Sequence, residues 1–143
     1  MTRTATAILV FAGFIAAPPA RGDDVADRMY RLVPPLTNLA STVEGAVRYK
    51  NLAPEVDGAE LLEIATRHDR RLLAPFAGYV VRVQRQGQHA VVLVCSPRQH
   101  VALFEDSGCT AKPDRHHWRS EVVRPCAFTL DAAATCSERA AAP

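Results

Sequence analysis

Six consecutive residues in the C-terminal third of the chain carry most of the side chains that could do chemistry. They are Asp114, Arg115, His116, His117, Trp118 and Arg119. Imidazole and carboxylate groups together can bind a transition-metal ion, and a histidine beside a carboxylate can act as a general base. This segment, called the 114–119 loop below, is therefore the first candidate site.

A metal site in this loop needs a ligand from elsewhere in the chain. His116 and His117 are adjacent, and neighbouring side chains point to opposite faces of a strand or lie about 100° apart on a helix. His89 or His100 would have to approach them. The metal-site hypothesis takes as its ligands His100, Asp114, His116 and His117. The alternative is a polar loop with solvated histidines and an inward-packed tryptophan.

The same loop has the composition of a protein-binding surface. Trp118 lies in a charged stretch between Arg115 and Arg119. Trp and Arg are enriched among the residues that dominate protein–protein interfaces. We therefore predict that a partner protein contacts the whole loop, namely Asp114, Arg115, His116, His117, Trp118 and Arg119.

Motifs for other catalytic chemistry are missing from the sequence. It has no Gly-x-Ser-x-Gly elbow, no phosphate-binding glycine-rich loop and no His-Glu-x-x-His helix. Cys109 and His116 could form a nucleophile and its base, but an even number of cysteines favours disulfides. The pair Glu105–Asp106 is predicted at a loop start, where carboxylates are solvated or cap backbone groups. The sequence predicts no enzyme and no cofactor.

Four cysteines predict two disulfides in a small exported domain. They are Cys95, Cys109, Cys126 and Cys136. No Cys-x-x-Cys pair supplies the close ligand spacing of a structural zinc site, and three disulfide pairings are possible. If the chain turns at Pro97, Cys95 and Cys109 lie near opposite ends of one strand, roughly 17–20 Å apart. That separation favours cross-links from the hairpin to the C-terminal segment.

Residues 1–22 have the pattern of a cleaved signal peptide. A basic start is followed by an apolar run over Ala5–Ala17 and by a region of proline and small residues that ends at Gly22. The run is short for a membrane span of roughly 20 residues. We predict export, cleavage after Gly22, one domain over residues 23–135 and a frayed tail over residues 136–143.

The charge balance argues against a nucleic-acid partner. The formal net charge is +2, but Arg3 and Arg21 belong to the predicted signal peptide, and the remaining chain has 15 basic and 15 acidic residues. Such a chain lacks the basic footprint of a protein that binds DNA or RNA. Its many arginines and alanines are typical of a GC-rich bacterial genome.

Hydrophobic periodicity predicts helices in the first half of the predicted domain. Apolar residues over 25–32 and 36–47 recur at helical spacing, and Pro34–Pro35 is predicted to end the first helix. Glu44 and Arg48 have the i,i+4 spacing of an ion pair on the second helix. A third helix is predicted to begin at Asp57, which with Glu60 resembles a capping box.

The second half changes to the period of strands. Residues 79–84, 89–95 and 100–104 are predicted to form a meander with short turns, and 121–130 an edge strand that contains Pro125. Apolar residues on both faces of 90–94 indicate a central strand that is covered on both sides. The predicted fold is α+β, with two or three N-terminal helices packed on a small antiparallel β-meander of three to four strands and stapled by disulfides.

These patterns predict a non-enzymatic bacterial envelope protein, periplasmic or secreted, that acts by binding another envelope or secreted protein. Inhibitors, immunity-type factors and assembly accessory factors have this character. The alternative is a periplasmic protein that binds a metal or small ligand through residues 114–117. Neither hypothesis includes a nucleic-acid partner or a membrane span after signal cleavage.

Overall fold

Helices packed on a three-stranded antiparallel sheet form the domain, so the predicted α+β class is confirmed. The structure is a computed structural model that describes residues 22–110, 113 and 123–137, with side chains from residue 27 onward. The elements are α1 (Gly22–Tyr49), α2 (Gly58–Thr66), a 3₁₀ helix (Arg70–Phe76), β1 (Val80–Gln86), β2 (His89–Ser96), β3 (Val101–Asp106) and α3 (Ala132–Ser137). The strands lie in the order β1-β2-β3.

Helix α1 continues through Pro34 and Pro35, so the prediction that these residues separate two helices is wrong. A proline inside a helix removes a backbone donor and costs about 3 kcal/mol or more. Leu32 and Leu36 flank the pair and are buried against the rest of the core. Burial of each such side chain contributes about 1.5–3 kcal/mol. Tertiary packing on both sides of the prolines therefore offsets the local cost.

Helix α2 begins where the capping pattern predicts. The Asp57 side chain accepts a hydrogen bond from the backbone N–H of Glu60 at 2.8 Å. Gly58, the first residue of the helix, lies directly against β1, and a Cβ built there would be 1.7 Å from the carbonyl oxygen of Val83. Glycine at this position thus lets the helix start in contact with the sheet.

Strand β2 is the centre of the sheet and is buried on both faces, as predicted. Val92 and Val94 belong to the larger core cluster, which includes the buried residues of α1 and α2. Leu93 and Cys95 point the other way and belong to a second cluster, against which Phe128 packs. The helices therefore cover one face of β2, and a C-terminal segment covers the other.

A β-bulge divides the side chains of β3 between these two clusters. Phe104 pairs with Val94 and Ala102 with Cys95, so Leu103 is the extra residue between them. Residues two apart on a regular strand share a face, but Phe104 packs in the helix-side cluster and Ala102 in the second one. The bulge thus lets one short strand contribute to both sides of the sheet.

The C-terminal segment over residues 123–137, called the strap below, covers the second face without forming a strand. Residues 123–130, the described part of the predicted edge strand, form only an isolated bridge, between Pro125 and Val101, and no strand, so that prediction is wrong for them. Pro125 has no N–H to donate to a ladder. The strap ends in α3, which runs to Ser137, two residues beyond the predicted end of the domain.

Buried and partly buried polar side chains of the sheet form hydrogen bonds with backbone groups of the strap. Glu105, which is fully buried, accepts hydrogen bonds from Thr129 N at 2.7 Å, Thr129 Oγ1 at 3.0 Å and Leu130 N at 2.9 Å. Gln86 accepts from Ala132 N at 2.7 Å and donates to Leu130 O at 3.1 Å. Of the two alternatives expected for Glu105, solvation or bonding to backbone groups, the second holds, and the residue lies inside β3, not at the predicted loop start.

Both disulfides connect the strap to the rest of the domain. Cys95 is bonded to Cys126 and Cys109 to Cys136, each pair with 5.8 Å between its Cα atoms. Arg82 adds a polar contact, since its Nη1 donates to Cys126 O at 2.7 Å. The expected cross-links to the C-terminal segment are therefore confirmed.

Residues 1–21, which include most of the predicted signal peptide, and 138–143, which include most of the predicted tail, lie outside the described part of the chain. Among the helices that the structure describes, none has the length and apolar character needed to cross a membrane.

We expect Glu105→Gln to lower the free energy of unfolding by about 2–3 kcal/mol, because an amide supplies one oxygen acceptor where the strap presents three donors. Urea unfolding of the oxidised protein measures the effect. The control is Glu63→Gln, which removes an exposed ion pair with Arg70 and should change stability by less than about 1 kcal/mol. Equal stabilities of the two variants would contradict this role for Glu105.

Candidate functional site

An open pocket of about 490 Å³ lies between the C-terminal half of α1 and the Cys109–Cys136 disulfide. It is called the α1 pocket below. Its lining combines charged, aromatic and sulfur-containing side chains and consists of Ser41, Glu44, Gly45, Arg48, Tyr49, Gly108, Cys109 and Cys136.

The helical repeat and one glycine position this lining. Ser41, Glu44 and Arg48 lie three and four residues apart, so they share one face of α1. Gly108 has φ +69°, and a Cβ built there would be 2.3 Å from the carbonyl oxygen of Ala40. The chain that follows β3 can therefore approach α1 closely only with glycine at this position, and this approach brings Cys109 to the helix.

Glu44 is 5% exposed and joins α1 to the start of β2. Its Oε1 lies 2.7 Å from His89 Nδ1 and accepts a hydrogen bond from Arg48 Nε at 2.9 Å. Its Oε2 accepts from the backbone N–H of Ala90 at 2.9 Å. The predicted ion pair between Glu44 and Arg48 is present, and the buried carboxylate has donors at both oxygens. Hydrogen bonds to a charged acceptor are stronger than those between neutral groups, so Glu44 anchors helix to sheet.

The short contact with Glu44 determines the tautomer of His89. Two acceptor atoms 2.7 Å apart would repel each other, so Nδ1 carries a proton and donates it to Oε1. Arg48 Nη2 lies 3.3 Å from the same nitrogen. Within the described ranges, no residue forms a hydrogen bond with Nε2.

Glu44, His89 and Cys136 have the proximity of metal ligands. One carboxylate oxygen, one ring nitrogen and the Cys136 sulfur lie within 4.8 Å of one another, and no other such group is found in the part of the chain that the structure describes. The sulfur is bonded to Cys109, however, and the Arg48 guanidinium lies against both other ligands. Since metal binding requires a thiolate and a cation here would meet Arg48, the oxidised protein has an ion-pair cluster at this place.

The 114–119 loop lies outside the described residues, so the partner-binding and metal-binding predictions for it stay predictions. The cysteines before and after it in sequence, Cys109 and Cys126, form disulfides with Cys136 and Cys95. Cys109 lines the α1 pocket, and Cys126 is bonded to β2.

The predicted ligand His100 is exposed in the turn after β2. Its φ is +49°, and its carbonyl oxygen accepts a hydrogen bond from Cys126 N. His89 is the first residue of the eight-residue strand that this turn follows, and at about 3.3 Å per residue the two ends of the strand lie roughly 23 Å apart. His89 and His100 therefore cannot belong to one site.

The contact between Glu44 and His89 was not predicted from the sequence, in which Glu44 was expected to pair only with Arg48. A signal was present, since position 44 falls within the apolar stripe of α1, next to Val43 and four residues from Ala40. A carboxylate at such a position must find donors on the element that the helix covers. The orientation of the helix across the sheet decides which strand residue supplies these donors. The spacing of residues in the sequence does not reveal that orientation.

We expect Gly108→Ala to lower the free energy of unfolding by about 1–3 kcal/mol, because the added methyl group collides with α1 and the backbone is left-handed there. Gly45→Ala is the matched control, since a Cβ at Gly45 meets nothing within 4 Å. That substitution in a helix interior should stabilise the protein by up to about 1 kcal/mol. Thermal unfolding of both variants measures the difference, and loss of stability in Gly45→Ala alone would refute it.

The two i,i+4 ion pairs of α1 should contribute very differently to the free energy of unfolding. Glu44→Ala leaves the Ala90 N–H and His89 without their acceptor, and we expect a loss of about 2–4 kcal/mol. Asp27→Ala breaks the exposed pair with Arg31 and should cost less than about 0.5 kcal/mol. Urea unfolding curves are the measurement. Similar costs for the two substitutions would show that Glu44 is no anchor.

The chain matches no protein-family model, and neither a curated protein nor a solved structure matches it significantly. Its function is therefore inferred from its own residues and their geometry.

Proposed function

We propose that this chain is an exported protein that acts by binding another envelope or secreted protein and not by catalysing a reaction. The partner would contact the C-terminal end of α1 together with the 114–119 loop. An inhibitor, an immunity-type factor or an assembly accessory factor would each work in this way.

The observation that carries the proposal is the exposure of Tyr49 beside the base of the loop. Tyr49 ends α1 and is 80% exposed. With Arg48 it lines the α1 pocket, to which Cys109 also belongs. The segment that contains Trp118 departs from Cys109. Tyrosine, arginine and tryptophan are the residue types most enriched at interface hot spots, and the proposal combines Tyr49 and Arg48 with Trp118 in one interface.

The disulfides support a binding role for the loop. Fixing both ends of a segment removes conformations that an open chain would lose on binding, and a smaller entropic cost gives higher affinity for the same contacts. Cys109 and Cys126 are both cross-linked to other parts of the domain. Two disulfides also suit an oxidising compartment, which supports export.

The buried carboxylates support structural roles better than catalytic ones. Glu44 and Glu105 are both buried, and each has hydrogen-bond donors at both oxygens. A general base must reach a proton of the substrate, whereas these groups hold a helix and the strap against the sheet. The exposed tyrosine and arginine are better placed to meet another molecule.

The proposal is tested with the full chain, expressed with its own N-terminus and purified after export. Wild type and the double variant Tyr49→Ala/Trp118→Ala are immobilised and exposed to the envelope fraction of the source cells under mild cross-linking. We expect wild type to recover one protein stoichiometrically. The double variant should bind it at least about thirtyfold more weakly, which corresponds to about 2 kcal/mol.

Tyr30→Ala provides the matched control. Tyr30 is 50% exposed on the same helix but lies 19 residues earlier, about 28 Å along the axis. It should bind the partner like wild type, and all variants should keep the wild-type melting temperature within a few degrees. A recovered partner with unchanged affinity for the double variant would place the interface elsewhere, and recovery of no partner would contradict the binding function.

A further inference from the structure

The Cys109–Cys136 disulfide lies beside the carboxylate of Glu44 and the imidazole of His89. In the oxidised protein this bond joins the chain after β3 to α3, and its sulfurs carry no thiolate charge for a metal ion. Each newly made chain, however, begins with its cysteines as thiols, and a dithiol reductant returns them to that form. The thiol form of this pair therefore precedes the disulfide in every molecule.

Opening the bond provides four potential ligands at one place. A carboxylate oxygen of Glu44, a ring nitrogen of His89 and the Cys136 sulfur lie within 4.8 Å of one another. The Cys109 sulfur is bonded to Cys136 and so lies beside them. In a tetrahedral zinc site with bonds of about 2.0–2.3 Å, the ligand atoms lie roughly 3.3–3.8 Å apart. Small side-chain shifts of about 1 Å, together with separation of the two sulfurs, would thus bring all four atoms to one ion.

The charge of the cluster differs between the two redox states. In the oxidised protein the Arg48 guanidinium already balances the carboxylate of Glu44. An added divalent cation would have no counter-charge, which is costly in a partly buried place. In the dithiol form two thiolates supply that counter-charge, while Arg48 continues to balance Glu44. Oxidation therefore disfavours a cation here, and reduction favours one.

Neighbouring groups already orient two of the ligands. The backbone N–H of Ala90 donates to Oε2 of Glu44, whose other oxygen lies against His89. Ser107 Oγ lies 3.2 Å from the Cys109 sulfur, where a hydroxyl can donate to a thiolate. Hydrogen bonds of this kind, made to the ligands and not to the ion, fix ligand orientation and raise metal affinity. The fold thus supplies part of what a metal site needs before any ion arrives.

We propose that the chain, in its dithiol form, binds one divalent transition-metal ion through Glu44, His89, Cys109 and Cys136, independently of the partner binding proposed above. Two sulfurs, one nitrogen and one oxygen form a donor set that suits Zn²⁺ in tetrahedral coordination. A dithiol reductant gives two electrons and two protons to the disulfide and itself becomes a disulfide. The ion then displaces both thiol protons to solvent as it binds.

The ion would hold the same parts of the chain together as the disulfide does. The four ligands come from α1, the start of β2, the chain after β3, and α3. The disulfide joins the last two of these directly, and the ion would join all four. The end of the strap is therefore fixed beside α1 in both redox states, by a covalent bond in one and by coordination in the other.

The full chain with Cys109→Ser tests the site without a reductant. Cys95–Cys126 stays closed in this variant, and Cys136 becomes a free thiol beside Glu44 and His89. The probe is Co²⁺, because a cobalt–thiolate bond has its own absorption band and Zn²⁺ displaces Co²⁺. We expect one Co²⁺ per chain with that absorption, its loss on addition of Zn²⁺, and no such absorption with the oxidised wild type. Absence of the band in the folded variant would overturn the proposal.

Cys126→Ser is the matched control for a free thiol. It also releases one cysteine, Cys95, but leaves Cys109–Cys136 closed. We expect it to bind Co²⁺ at least about tenfold more weakly than Cys109→Ser, since a thiol without neighbouring ligands is a poor site. Circular dichroism of both variants reports the fold. Equal Co²⁺ affinities of the two folded variants would refute the site.

His89→Gln, added to Cys109→Ser, tests the imidazole ligand and should weaken Co²⁺ binding at least about tenfold. His68→Gln in the same background changes an exposed histidine just after α2 and should leave the affinity unchanged. An unchanged affinity with His89→Gln would remove His89 from the site and overturn the proposed ligand set.

Cys95→Ala/Cys126→Ala, reduced with a phosphine, tests Cys109 as the fourth ligand, because only the proposed cysteine pair then remains. We expect this variant to bind Co²⁺ at least about tenfold more tightly than Cys109→Ser, with a stronger thiolate band from the second sulfur. Equal affinity and equal absorption in the folded variant would exclude Cys109 from the ligand set. Should the reduced variant not fold, the Co²⁺ titration of Cys109→Ser still decides the proposal.

Discussion

The domain depends on the burial of both faces of β2. A strand that is apolar on both sides needs a layer on each, and α1 and α2 cover one face of β2. On one face, Val92 and Val94 pack against the helices in the larger core cluster. The strap has to cover Leu93 and Cys95 on the other. The bulge at Leu103, the two disulfides and the buried side chain of Glu105 all serve that second layer.

A covering layer that does not pair with the sheet as a strand has to satisfy its backbone polar groups in another way. Buried N–H and C=O groups need partners, and a strand would have supplied them through a ladder. Here side chains do so, since Glu105 and Gln86 between them bond the backbone of residues 129, 130 and 132. The carboxylate is thus retained in an apolar environment because it replaces strand pairing. Glu44 has the same role on the helix side, where it accepts from Ala90 N.

The features that depend on residue spacing within one element could be predicted from the sequence. The start of α2 at its Asp57 cap, the three-stranded meander and the two-sided burial of β2 all followed from periodicity and turn residues. It failed where tertiary packing overrides a local rule, as at Pro34–Pro35, or where a charge is buried, as at Glu105. The proximity of Glu44 and His89, 45 residues apart in sequence, needs the crossing geometry of helix and sheet, which no local pattern contains.

The order of the cysteines along the chain has a consequence for how the protein is made. The bonds Cys95–Cys126 and Cys109–Cys136 span 31 and 27 residues and interleave. The pairs adjacent in sequence, Cys95 with Cys109 and Cys126 with Cys136, would close shorter loops, and shorter loops cost less entropy in an unfolded chain. Random oxidation thus favours the wrong partners. Biogenesis therefore requires either that the strap docks on β2 before oxidation or that a disulfide isomerase corrects the first bonds.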